Sequence, residues 1–408
     1  MNKELNNYRF VDVCKYIAAI MIVCIHCERL FDYPYLDFFI RQIVCRMAVP
    51  FFFVSSAYFI RKGCSKNKHY LKEYLKKLTK SYLLWSLIFM PIGLNWIQQN
   101  LSISEELLPV ALVFGLVHIG TYYHLWYIPA MIFSLFTIDR LLKRISYKWL
   151  FAISISLFLF GSVETYYGFL QNGWFKDMFD LIISVIYTTR SGLLYGMIFV
   201  TIGFAIYDYQ EKLSYMIPKI PKLTIAFGIL LILEGTLIYF VPGLDMNFLI
   251  VLIPFSFFFF LWVLSFPYSP RFDTHHLREL SKYYYFVHPV CIVIIEEIGK
   301  AFNLPYLSTG LLSLALIFIM TQLISTFVIS IHRGSLKRRT IFYAIFFGMF
   351  ITSILAGLFY EMKSPDILIK FEWVSCICFV ISFSVCYILS LFMNQKDNKL
   401  SHLHESSR

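Results

Sequence analysis

Phe10-Val-Asp-Val-Cys-Lys15-Tyr-Ile-Ala-Ala-Ile-Met-Ile-Val-Cys-Ile-His26-Cys-Glu28-Arg29-Leu30 is long and apolar enough to cross a bilayer, yet it carries charge in its interior. Roughly 20 apolar residues span the hydrocarbon core as a helix. Stretches of this character recur at 38–60, 80–98, 124–142, 149–168, 188–207, 222–241, 247–266, 283–300, 308–331, 341–360 and 371–393. With 10–30 they predict an all-α, polytopic transmembrane helical bundle of about twelve spans, each near the length a bilayer requires. The segment 105–120 is apolar but short and opens with Glu105 and Glu106, so it reads as an interfacial or re-entrant piece.

Composition excludes a soluble protein. Of 408 residues, 59% are apolar and 15% charged, against about 45–50% and about 25% in soluble domains. The formal charge of +11 is explained by topology. Lys and Arg concentrate in alternate loops: Arg61 to Lys80, Arg140 to Lys148, Lys212 to Lys222, Arg271 to Lys282 and Arg333 to Arg339. Positive loops stay in the cytoplasm, which places both termini there. DNA or RNA is therefore not expected as a partner. A basic inner face suits anionic lipid or an anionic donor. The apolar run from Phe10 lacks a small-x-small cleavage pattern and is not read as a signal peptide.

The nine cysteines form no disulfide framework. Cys14, Cys24, Cys27, Cys45, Cys291, Cys376, Cys378 and Cys386 fall in apolar segments, where free Cys packs as a small hydrophobe. Cys24 and Cys27 bracket His26, but no second cluster completes a tetrahedral metal site, so no metal is expected.

Ionisable groups at membrane depth point to function by default. Lys15 and His26 are eleven residues apart, which returns them to within about 20° on one helix face and separates them by about 16 Å. Arg46 lies about two turns into the second span from its outer end, and Arg41 stands nearer the interface. Tyr122-Tyr123-His124-Leu125-Trp126-Tyr127-Ile128-Pro129 opens the fourth span, and Arg190-Ser191-Gly192 opens the sixth. Leu280-Ser281-Lys282-Tyr283-Tyr284-Tyr285-Phe286-Val287-His288-Pro289 opens the ninth. Topology then predicts two polar layers. The cytoplasmic one holds Lys15, Lys282 and His288, and the outer one His26, Arg46, His124 and Arg190. Glu28 or Glu164 is the expected orienter of His26, and Glu234 the alternative partner of Arg46.

In this order the motifs resemble the acyltransferase 3 family of integral membrane acyltransferases. They are Lys15-x10-His26, Arg46-Met-Ala-Val-Pro-Phe-Phe-Phe, the basic Lys72–Lys80 run leading into Tyr82-Leu83-Leu84-Trp85, His124-Leu-Trp-Tyr-Ile-Pro, and Leu280-Ser-Lys with His288-Pro289. The resemblance covers a transmembrane domain at 1–331, followed by two additional helices within 332–394 and a polar cytoplasmic tail at 395–408. It implies an acyl-coenzyme A donor, often acetyl-CoA, at the cytoplasmic face. The acceptor it implies is a hydroxyl of a cell-surface glycan, peptidoglycan or lipid-linked sugar. By the same analogy His26 and Arg46 are catalytic, and Lys15, Arg41, His124, Trp126, Arg190 and His288 hold donor or substrate.

Within that family the pattern is similar to the membrane domain of the vancomycin-resistance serine racemases. The shared stretches are Ala18-Ala19 through His26-Cys27, Tyr123-His124-Leu125-Trp126-Tyr127 and Thr189-Arg190-Ser191-Gly192. The soluble racemase portion of those proteins has no counterpart in these 408 residues, which leaves a separate racemase or extracytoplasmic protein as a partner. The chain departs from the family in reading Ser56-Ala57 where a Ser-Gly pair is usual, with Ala57 expected to fill a gap near the ligand. The sequence thus predicts a bacterial cytoplasmic-membrane O-acyltransferase, with a carrier for a small amino acid such as serine as the alternative.

Overall fold

A computed structural model describes residues 7–101 and 108–334, and among them every regular element is helical. The stretches 341–360 and 371–393 and the tail 395–408 lie outside the described residues. The order is α1 (Tyr8–His26), α2 (Pro34–Phe38), α3 (Ala48–Lys66), α4 (Tyr70–Leu101), α5 (Leu108–His118), α6 (Tyr127–Leu141) and α7 (Tyr147–Ser162). It continues with α8 (Trp174–Ile186), α9 (Met197–Asp208), α10 (Gln210–Ser214), α11 (Ile220–Phe240), α12 (Leu252–Ser265), α13 (His275–Ala301) and α14 (Gly310–Arg333). Each of the ten spans expected before residue 332 has its helix here. The 105–120 piece is also helical, as α5.

Among the described residues three helical runs are long and apolar enough to cross a membrane, namely Pro34–Lys66, Ile220–Phe240 and Gly310–Arg333, and shorter apolar helices accompany them. This is a helical membrane protein. The run Pro34–Lys66 is not a uniform α-helix: it loosens to a π segment at Phe39–Val44, then tightens to a 3-10 turn at Cys45–Met47. A second π segment, Gly192–Gly196, leads into α9. The basic 72–80 stretch, expected as loop, forms the first turns of α4, because Lys and Leu are good helix formers. An element that span-length apolarity does not mark is α8, whose exposed Trp174, Leu181 and Val185 make an apolar stripe beside Lys176, Asp177 and Asp180, the pattern of an interfacial helix.

The centre of the bundle is α1, packed between α3 and α13; α3 lies on α9, and α13 on α14. Outer helices turn apolar side chains outward, as with Ile225, Ile229, Leu233 and Leu237 of α11, since lipid accepts them where water would not. One end of the bundle is fastened by polar ties. Arg61 at the end of α3 grips Asp208 at the end of α9 through both carboxylate oxygens, at 2.8–3.0 Å. The Tyr147 hydroxyl donates to the same Asp208 at 2.6 Å. Asn7, ahead of α1, donates its backbone N–H to the Leu264 carbonyl and its amide to that of Phe266, at the end of α12. The basic loops after α3, α6, α9 and α12 therefore lie on one face.

Without a solvent-driven force between helices, close approach of small residues does the packing in lipid. Gly203 of α9 sits against the Val54 carbonyl and the Ala57 side chain of α3, where a Cβ atom would collide with both. Ala57 is fully buried in that contact. It serves helix packing, which corrects the expectation that it fills a gap beside a ligand. Gly203→Val is expected to cost about 1–3 kcal/mol through overpacking, seen as a lower unfolding midpoint in detergent, whereas Gly228→Ala, which meets only Phe255 at 3.6 Å, leaves the midpoint unchanged.

Candidate active site

His26 is the last residue of α1, and its side chain turns back so that Nδ1 lies 2.8 Å from the Ile22 carbonyl oxygen. His288 comes from the middle of α13. Pro289 follows it inside the helix and has no N–H to donate, and His288 Nδ1 reaches the Tyr284 carbonyl at 2.7 Å. The other ring nitrogen of His288, Nε2, is 3.2 Å from His26 Nδ1. The two imidazoles therefore touch across the α1–α13 interface. This corrects the assignment of His288 to a cytoplasmic layer: α13 begins eight residues before the expected span, so His288 lies at mid-helix.

His124 completes a group of three histidines. It stands in a 3-10 turn, Tyr123–Trp126, and its ring packs edge-on to that of His288 with centroids 5.7 Å apart. Phe89, Tyr122, Tyr123 and Tyr285 enclose it, and the Tyr285 hydroxyl fixes its backbone by donating to the His124 carbonyl at 2.9 Å. Its ring is buried, and among the described residues neither nitrogen has a hydrogen-bond partner. Tyr123 also packs on His26, centroids 5.1 Å apart. Among the described residues no group of three or more His, Cys, Asp or Glu is arranged to hold a metal ion, and Cys24, Cys27 and Cys45 are free thiols.

The two arginines arrive from the irregular segments. Arg46 lies in the 3-10 turn that follows the first π segment, and Arg190 just precedes the second. Such departures from α-geometry re-aim side chains and recur at functional sites. Arg46 Nε donates to Gln42 Oε1 at 2.9 Å, and its Nη1 to Asn247 Oδ1 at 2.5 Å. Arg190 Nε pairs with Asp245 Oδ2 at 2.9 Å, while Asp245 Oδ1 receives the Asn247 backbone N–H at 3.1 Å and also its side-chain amide. Asp245 thus links both guanidinium groups, one directly and one through Asn247. Trp126 packs on Tyr195, with the Arg190 guanidinium 6.0 Å from its ring centroid.

The acids expected to serve this cluster are engaged elsewhere. Glu164 is buried and accepts the Thr189 N–H at 2.7 Å and the hydroxyls of Thr188 and Thr189. It holds the loop that carries Arg190, and Glu28 is exposed beyond the end of α1; neither orients His26. Glu234 accepts the Tyr166 hydroxyl and the backbone N–H groups of Ile250 and Val251, so it caps α12 and does not pair with Arg46. Arg41 pairs with Asp37 at 3.0 Å and reaches the Ile25 carbonyl at 3.4 Å. Asp37 in turn holds the Leu30 N–H at 2.7 Å, so Arg41 pins the turn after α1. Lys15 stays on α1 below His26, with Nζ 5.0 Å from the Phe59 ring centroid. Its neighbour Asp12 bonds Thr274 at 3.0 Å.

Residues 8–330 match the profile of the acyltransferase domain of the acyltransferase 3 family, and the chain belongs to that family. Curated proteins similar to it include an amino-acid racemase of Enterococcus faecalis, 29% identical over 332 residues, which cover 79% of this chain and 46% of the relative. A serine/alanine racemase of Enterococcus gallinarum is 28% identical over 321 residues, 76% of this chain and 44% of that protein. The chain spans less than half the length of these relatives. No solved structure matches it.

The supporting role of Glu164 is directly measurable. Glu164→Leu removes the acceptor of one backbone N–H and two hydroxyls, and each buried donor left unmade costs about 1–3 kcal/mol. A lowered unfolding midpoint is expected, together with faster protease cleavage in the 186–191 loop.

Proposed function

We propose that this chain is an O-acyltransferase of the bacterial cytoplasmic membrane, with both termini in the cytoplasm. It moves an acyl group, acetyl foremost, from a cytoplasmic acyl-coenzyme A to a hydroxyl of a cell-surface glycan, peptidoglycan or lipid-linked sugar. The observation that carries this reading is the state of His26: its Nδ1 is held by a backbone carbonyl and by His288, while its Nε2 has no hydrogen-bond partner among the described residues and is the nitrogen we assign to substrate. An imidazole with one nitrogen anchored and the other free is a general base suited to neutral pH.

In the proposed reaction His26 Nε2 takes the proton of the acceptor hydroxyl as that oxygen bonds to the thioester carbonyl carbon. The carbon–sulfur bond then breaks, and the proton passes from Nε2 to the departing sulfur. Arg46 and Arg190 supply fixed positive charge where the carbonyl oxygen becomes anionic, and in a water-poor site such charge acts strongly. Lys15, about 16 Å nearer the cytoplasmic end of the same helix, attracts the anionic donor as a point charge.

Acetyl-coenzyme A turnover, read as thiol release in inside-out vesicles that retain endogenous acceptors, tests the reading. His26→Ala at matched expression is expected to lower turnover about 100-fold or more, and Lys15→Gln to raise the KM for donor while largely sparing kcat. Equal thiol release from wild type and His26→Ala would sink the proposal. The racemase names of the relatives favour one other reading, a carrier for a small amino acid such as serine supplying a separate racemase. In that case labelled serine uptake depends on Arg46 and Arg190, and thiol release is absent.

A further inference from the structure

We propose that His288 is the positioning partner of His26, forming a histidine–histidine pair in which the second imidazole does the work a carboxylate does in a hydrolase triad. The catalytic consequence rests on the acyltransferase reading above; the pairing itself does not. A neutral imidazole has one N–H and one bare nitrogen. His288 Nδ1 lies 2.7 Å from the Tyr284 carbonyl oxygen and His26 Nδ1 lies 2.8 Å from that of Ile22. Two bare acceptors at such distances repel, so each Nδ1 carries its ring's proton. His288 Nε2 is then bare and 3.2 Å from the His26 Nδ1–H, which it shares with the Ile22 carbonyl.

Two consequences follow. The tautomer of His26 is the one that leaves Nε2 as the base, because the bond made by one ring nitrogen decides the state of the other. When Nε2 takes a proton, the positive charge spreads to an Nδ1–H that already faces two acceptors. The proton stays on His26: transfer to His288 would leave His26 Nδ1 bare against the Ile22 oxygen at 2.8 Å. His288 therefore stabilises the imidazolium without becoming its proton store, and it is fully buried, so water does not replace it. Of the acids the sequence offers for this task, Glu164 is bonded to Thr189 and Glu28 is exposed beyond the end of α1.

The test compares His288→Leu and His288→Gln in the full chain, in vesicles and at matched expression. Leu offers no acceptor, whereas the side-chain carbonyl of Gln does. His288→Leu is expected to lower kcat for thiol release about 100-fold with the KM for acetyl-coenzyme A unchanged, and His288→Gln to recover at least about tenfold of that loss. Wild-type kcat in His288→Leu, a loss carried by KM, or Gln no better than Leu would overturn the role. A readout independent of catalysis is the nitrogen-15 histidine spectrum of the full chain in lipid by magic-angle-spinning NMR, with His26 assigned by its loss in His26→Gln. It is expected to show protonated Nδ1, bare Nε2 and a contact from that proton to His288 that vanishes in His288→Leu. A bare Nδ1 on His26 overturns the pair whether or not the chain turns over donor. The expected spectrum without turnover in the wild type would instead overturn the acyltransferase reading and, with it, the catalytic role of His288.

Discussion

A guanidinium at membrane depth has no water to turn to, so the protein must supply its hydrogen bonds and offset its charge. Asp245 meets this constraint for two arginines at once. It pairs directly with Arg190 and, through the Asn247 amide, reaches Arg46. Those residues come from the loop before α12, the loop before α9 and the irregular turn before α3, so satisfying the charges closes the bundle around them. Glu164 and Glu234 extend the same logic. Glu164 binds one backbone N–H of a neighbouring segment and Glu234 binds two, which fixes the loop bearing Arg190 and the start of α12.

Around that frame the histidines are placed by helix ends and helix breaks. His26 stands where α1 stops, and His288 stands beside Pro289, where α13 loses a backbone donor. Each folds its Nδ1 back onto a carbonyl one turn earlier, and His288 Nε2 meets His26 Nδ1, so that among the described residues His26 Nε2 has no hydrogen-bond partner. His124 shows the opposite balance: an imidazole walled in by aromatic rings, with both nitrogens unpaired among the described residues. Such a group is costly to keep, and its contact with His288 places that cost inside the site.

The helices themselves were legible because apolar length is a one-dimensional property, and the ten stretches before residue 332 each became a helix. Lys15 and His26 share one unbroken helix, Arg46 and Arg190 are linked through Asn247 and Asp245, and His124 meets His288. Asp245, Asn247 and Gln42 gave no comparable signal, since a polar residue near a span end reads as an ordinary interface residue until its partner is known. The π segments were invisible too, because Phe39–Val44 and Gly192–Gly196 carry no residue pattern that separates a π turn from an α turn.

Sequence alone therefore determined that the chain is a helical membrane protein and which end of the bundle gathers its basic loops. Those properties follow from composition, length and 3.6-residue periodicity, which need no knowledge of neighbours. Tertiary structure decided the partners. Whether Glu164 faces His26 or a threonine loop, and whether His288 lies near the cytoplasm or against His26, depends on how helices far apart in the chain are rotated and shifted against one another. Residue spacing within one helix carries no record of that offset, and a few ångströms of it separate a hydrogen-bonded pair from two unrelated side chains.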